Sequence, residues 1–94
     1  MPNIHDLPAQ ERSALVIRLR KIEGQAKGVQ RMIEEGRDCL DVITQIAAIR
    51  AAANALGGEL LEDFALRCLQ HPEDFTSPEH SVEQAVHALV RGWH

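Results

Sequence analysis

From Asp38 to Gln70 the chain reads DCLDVITQIAAIRAAANALGGELLEDFALRCLQ, with no proline and rich in Ala, Leu and Ile. That composition predicts one long helix. The stretch holds both cysteines of the protein, Cys39 near its start and Cys68 near its end. Twenty-nine residues separate them. At about 100° per residue the second thiol returns to within roughly 20° of the first, so both lie on one helix face. At about 1.5 Å per residue they stand about 43 Å apart along the axis. One straight helix cannot join them. An antiparallel second copy can, by setting Cys39 of one chain beside Cys68 of the other and making two equivalent dithiol sites in a two-fold dimer.

The remaining chain fits around that helix. Ninety-four residues form a single domain, 1–94. A short chain with such a long helix buries little surface alone, so oligomerisation is expected. Leu15, Leu19, Ile22, Ala26, Val29 and Ile33 recur at spacings of three and four, the apolar seam of a first helix over 8–35. Asp6 and Pro8 mark its start and Gly36 its end; residues 1–7 are expected to be loose. The Gly36-Arg37 link allows only a tight antiparallel hairpin, and Asp38 caps the second helix, 38–70. Ile43, Ile46, Ala47, Ala53, Leu60, Leu61 and Phe64 supply its apolar surface. Gly57-Gly58 marks either a break or a close crossing with another backbone. HPEDFTSPEH is a loop. A third helix, 78–91, follows, stopped by Gly92. The fold class is all-α.

Charge is distributed unevenly. The net charge is −4, yet residues 12–31 alone carry +5 and residues 51–94 carry −5. A basic first helix is either a solvated face or, repeated by symmetry, a phosphate-binding surface. No apolar run approaches the roughly 18 residues of a membrane span, and the first residues do not resemble a signal peptide. A cytoplasmic protein with no membrane partner is expected. Two cysteines in a reducing compartment point to a reactive or metal-binding pair rather than a permanent staple.

Position makes the two thiols unequal. Cys39 sits in the first turn of its helix, where the dipole and unpaired amides favour a thiolate, with Arg37 close by. Cys68 sits in the last turn, where the dipole opposes one and Arg67 offsets part of that. Cys39 is the expected attacking thiol and Cys68 the resolving one; the alternative is two small buried hydrophobes. Two thiolates could also hold Cu(I), but a third ligand is normally required. Phe64 stands where that ligand would be, one turn before Cys68, and cannot coordinate. His5, His71, His80, His87 and His94 form no metal motif. No nucleophile–base pair or paired carboxylates suggest an enzyme, and GQAKG lies inside a helix rather than after a strand. A thiol redox enzyme is the alternative from another class; it would need turnover. No cofactor is implied.

RLRKIEGQAKGVQRMIEEGRDC followed by DVITQIAAIRAAAN resembles the copper-sensing operon repressor (CsoR) family of bacterial transcriptional repressors, which includes the FrmR and RcnR types. The likeness covers the first two helices in full and the third in pattern. It implies an antiparallel dimer of three-helix chains pairing into a disc-like tetramer. It also implies operator DNA as partner, bound without a helix-turn-helix through basic residues, here Arg18, Arg20, Lys21, Gln25, Lys27, Arg31 and Arg50. Copper sensors of the family use Cys, His and Cys across the subunit boundary; Cys39 and Cys68 match, and Phe64 replaces the histidine. Formaldehyde sensors use an N-terminal proline and the first cysteine; Pro2 and Cys39 match, while Phe64 and Cys68 depart. Nickel and cobalt sensors use several histidines on the second helix, which this chain lacks. The persulfide-sensing, CstR-like branch keeps both cysteines and lacks the histidine, and the pattern here is most similar to it. The resemblance thus implies a repressor that senses reactive sulfur through Cys39 and Cys68, with Cu(I) or formaldehyde as alternative inducers.

Overall fold

Cys39–Gln70 is one unbroken helix, the axis of the chain in this computed structural model, which describes residues 3–91. The helices are α1 (Ala9–Glu34), α2 (Cys39–Gln70) and α3 (Pro78–Arg91), with short 3-10 turns at Ile4–Asp6 and Pro72–Asp74. No strand occurs among the described residues. The expected bounds hold to within a residue at each end. Pro2 and Gly92 lie outside the described residues.

Local chemistry explains the boundaries. Gly36 takes φ 71°, the left-handed conformation that glycine adopts without strain. Its N–H donates to Ile33 O, and Arg37 N–H donates to Met32 O at 2.9 Å. Those bonds satisfy carbonyls left open at the end of α1. Asp38 caps α2 by accepting from Leu40 N–H at 3.0 Å. The two helices fold back on each other: Arg18, early in α1, pairs with Glu59, in the second half of α2.

Gly57-Gly58 does not break α2. A Cβ on Gly57 would meet Leu89 Cδ1 of α3 at 2.6 Å, whereas one on Gly58 would meet nothing within 4 Å. Gly57 is therefore the seat of Leu89. The close approach is to a side chain, not to another backbone as expected.

Residues 3–7 are not loose. Asn3 and Asp6 form a reciprocal capping box around Ile4–Asp6, and Leu7 is 7% exposed. Asp6 caps this turn, not α1; Pro8 occupies the N-cap of α1. The buried Leu7 anchors the segment through the hydrophobic effect.

The core of one chain is small: among the described residues Leu7, Leu15, Val29, Phe64 and Cys68 are the buried apolar ones. Leu19 and Ile33, assigned by periodicity to the α1 seam, are 51% and 61% exposed. Leu40, Ile43 and Ile46 of α2 are exposed as well, and the chain is a slab 54 × 28 × 14 Å in extent. Contrary to the sequence expectation, α2 is long and apolar enough to cross a membrane by length and composition. Single charges such as Arg50 interrupt the run without making it polar. Exposed apolar residues along a helix are equally what an interface between helices carries.

Candidate functional site

The two thiols occupy opposite environments. Cys68 is 3% exposed in the last turn of α2, while Cys39 is exposed in its first turn. Burial pushes the Cys68 thiol above its ordinary value of 9.0, because removal from water penalises the thiolate. Both cysteines are free, and α2 is continuous between them, so about 43 Å of helix keeps them apart within one chain. The expected dithiol is thus not assembled by a single chain.

Phe64 is buried one turn before Cys68 and makes an edge-on contact with Phe75, ring centroids 5.8 Å apart at 75°. Phe75 follows the Pro72–Asp74 turn, so the loop folds its ring back onto α2. Sequence reasoning missed this partner. Beside Phe64 an open apolar cleft of about 470 Å³ is lined by Leu7, Gly57, Leu60, Leu61, Arg67 and Leu89, among others. The N-terminal turn, α2 and α3 meet there.

The histidines His5, His71, His80 and His87 are exposed. Among the described residues one group has metal-ligand spacing: His71, Glu73 and Asp74, with ligand atoms within 4.8 Å of one another. All three are exposed, and exposed acidic groups are common without an ion. Neither cysteine belongs to it.

The basic residues of α1 do not form one face. Turning by about 100° per residue, Arg18, Lys21 and Gln25 fall within an arc of roughly 60°, and Arg20, Lys27 and Arg31 lie on the other side of the helix. Lys21 and Gln25 are exposed, as are Arg20, Lys27 and Arg31. Arg18 is half-buried and paired with Glu59 of α2. Arg50 is exposed on α2. The Arg18–Glu59 pair was not anticipated. A hairpin centred on Gly36-Arg37 sets Arg18 opposite Ala55, and the actual partner lies one turn further on.

The described residues thus form a small all-helical chain with a central long helix, a thiol at each end of it and exposed apolar side chains along it. A family model, metal-sensitive transcriptional repressor, matches residues 11–91. The chain belongs to that family, one of transcriptional repressors and not of enzymes. It is 41% identical over 61 residues to the copper-sensing transcriptional repressor CsoR of Bacillus subtilis (strain 168), 65% of this chain and 60% of that protein. It is 31% identical over 80 residues to the transcriptional repressor RcnR of Citrobacter koseri, 85% of this chain and 89% of that protein. The fold matches a crystal structure of the copper-sensing repressor CsoR with Cu(I) from Geobacillus thermodenitrificans NG80-2 with a TM-score of 0.76. That match is at 33% identity and covers all of this chain and 94% of the other. The nickel-responsive transcriptional regulator InrS matches with a TM-score of 0.62 at 31% identity, over 93% of this chain and 90% of the other. The chain spans 60% of the length of the Bacillus relative.

Proposed function

We propose that this protein is a cytoplasmic DNA-binding transcriptional repressor that senses reactive sulfur through Cys39 of one copy and Cys68 of another. The observation that carries the sensing step is the pairing of a buried Cys68 with a buried Phe64 at one end of α2 and an exposed Cys39 at the other. Two antiparallel copies bring unlike ends together, and the working unit is a dimer that pairs into a tetramer. Phe64 supplies no ligand, so the site suits exchange between sulfurs better than coordination.

The chemistry balances without an added oxidant. The Cys39 thiolate attacks the outer sulfur of an organic persulfide, the S–S bond breaks, and the thiol leaves with a proton. Cys39 then carries S–SH. Cys68 of the second copy attacks the Cys39 sulfur, hydrosulfide leaves, and a Cys39–Cys68 disulfide forms. The sulfane sulfur is reduced to sulfide while two thiols become a disulfide. A bridge between copies constrains the packing of α2 and lowers affinity for DNA.

The DNA surface proposed here has Arg18, Lys21 and Gln25 on one face of α1 and Arg20, Lys27 and Arg31 on the other side of that helix, with Arg50 on α2. These side chains act chiefly by neutralising phosphates. Operator affinity is expected to fall steeply as salt rises, and Arg18→Ala to reduce the slope of log affinity against log salt by about one. Fluorescence anisotropy with duplex DNA over a salt series measures both; binding indifferent to salt contradicts the assignment.

Cu(I) is the second reading, favoured by similarity to copper-sensing proteins. Cys39 and Cys68 would be its ligands, and Phe64 leaves the third position without a donor. A formaldehyde site at Pro2 and Cys39 is a third; Pro2 lies outside the described residues.

A further inference from the structure

We infer that Glu59 masks Arg18: its carboxylate holds the guanidinium against α2, and DNA phosphate must displace it to bind. The inference deepens the DNA-binding reading above and rests on it. Arg18 and Glu59 form an ion pair between α1 and α2. The Arg18 and Glu59 side chains are 38% and 39% exposed, but the Glu59 Oε2 in the contact is itself buried, so a competing anion approaches through the exposed part of the Arg18 side chain. Arg18 shares its arc of α1 with exposed Lys21 and Gln25, which puts the masked cation within a polar stripe able to meet a phosphate backbone.

Pairing with a carboxylate and pairing with a phosphate are alternatives for one Arg18 Nη1 donor. Each is a charge-assisted hydrogen bond of similar geometry. Arg18 therefore contributes to DNA affinity only the difference between its two anionic partners. A half-exposed pair of this kind is weak in itself, so phosphate displaces the mask where phosphate density is high.

The position of Glu59 gives the mask a regulatory consequence. Glu59 lies on α2 between the two cysteines, while Arg18 lies on α1. A bridge that moves α2 against α1 changes how firmly Glu59 holds Arg18. DNA affinity and sulfur chemistry thus share one contact.

The test uses the full-length protein with a labelled random-sequence duplex, because the mask concerns phosphate and not base sequence. Glu59→Gln keeps the shape and removes the charge. It is expected to raise duplex affinity several-fold and to steepen the salt dependence. Glu62→Gln, removing an exposed acid from the same helix, controls for net charge and is expected to have a smaller effect. In an Arg18→Ala background Glu59→Gln is expected to lose that extra gain, because the two residues act as one unit. Equal effects of the two glutamine substitutions, or weaker DNA binding by Glu59→Gln, would overturn the inference.

A second readout needs no DNA. Phenylglyoxal modifies accessible guanidinium groups, and peptide mass spectrometry follows each arginine. Arg18 is expected to react more slowly than exposed Arg20 in the wild type and to speed up in Glu59→Gln. If no variant binds duplex DNA but Arg18 is unmasked on schedule, the DNA-binding reading fails and the contact stands. Unchanged Arg18 labelling rejects the mask itself.

Discussion

The two ends of α2 are built differently. At the C-terminal end Phe64 and Cys68 are buried, with Phe75 against the Phe64 ring and Leu7 and Leu89 lining the adjacent cleft. At the N-terminal end Cys39 is exposed beside Leu40, 68% exposed, and Ile43, 60% exposed. One end is completed by its own chain; the other presents apolar surface with no cover. The contrast is what the proposed site between two copies requires of a single chain. The finished end fixes a thiol in an apolar wall, and the unfinished end offers a thiol on a surface that an identical wall could cover.

The finished end is most sharply tested by Phe64→His. Placing an imidazole one turn before Cys68 restores a third soft-metal donor, and Cu(I) affinity is expected to rise by orders of magnitude. Competition against a chromogenic Cu(I) chelator measures it. Wild type that already binds Cu(I) as tightly, and leaves DNA when it does, would transfer the sensing role to copper.

The unfinished end is tested by Ile43→Asp with Ile46→Asp. A charge buried at an interface costs several kcal/mol unless paired. The double variant is expected to remain helical by circular dichroism and to sediment as a smaller species than the wild type. Unchanged association would show that this face is not where copies meet.

A smaller difference separates the thiols in reactivity. Burial raises the Cys68 pKa above 9.0, so the fold favours the protonated form. The stabilisation linked to that proton is complete below pH 9 and is lost as pH rises through the higher folded-state value. Alkylation of Cys68 by iodoacetamide is expected to lag that of Cys39 at pH 7 and to keep rising beyond pH 9. Equal rates in the folded protein would remove the distinction between the two ends.

Much of this was legible in the sequence. Periodicity and capping residues located all three helices, because Asp38, Gly36 and Pro78 impose local geometry that no distant contact needs to supply. The 29-residue spacing of the thiols announced that one chain could not join them. What was not legible depends on distant packing. Leu7 looked like part of a loose terminus, although Asn3 and Asp6 already spelled a capping box. Leu19 and Ile33 fit the apolar period of α1 yet lie exposed, since periodicity reports hydrophobicity and not which neighbour covers it. Phe75 as the cover of Phe64, and Glu59 as the partner of Arg18, required the register between elements.

The most direct test of the central claim is the size of the product after polysulfide treatment. Denaturing, non-reducing electrophoresis with mass spectrometry of the peptides reads it. The account predicts a covalent dimer joined from Cys39 of one copy to Cys68 of another, reversed by dithiothreitol and absent in Cys39→Ala. A disulfide requires Cα atoms within about 7 Å, far less than the length of α2 between the thiols. A treated protein that runs as a monomer, with Cys39 and Cys68 joined in one chain, would contradict both the shared site and the unbroken helix.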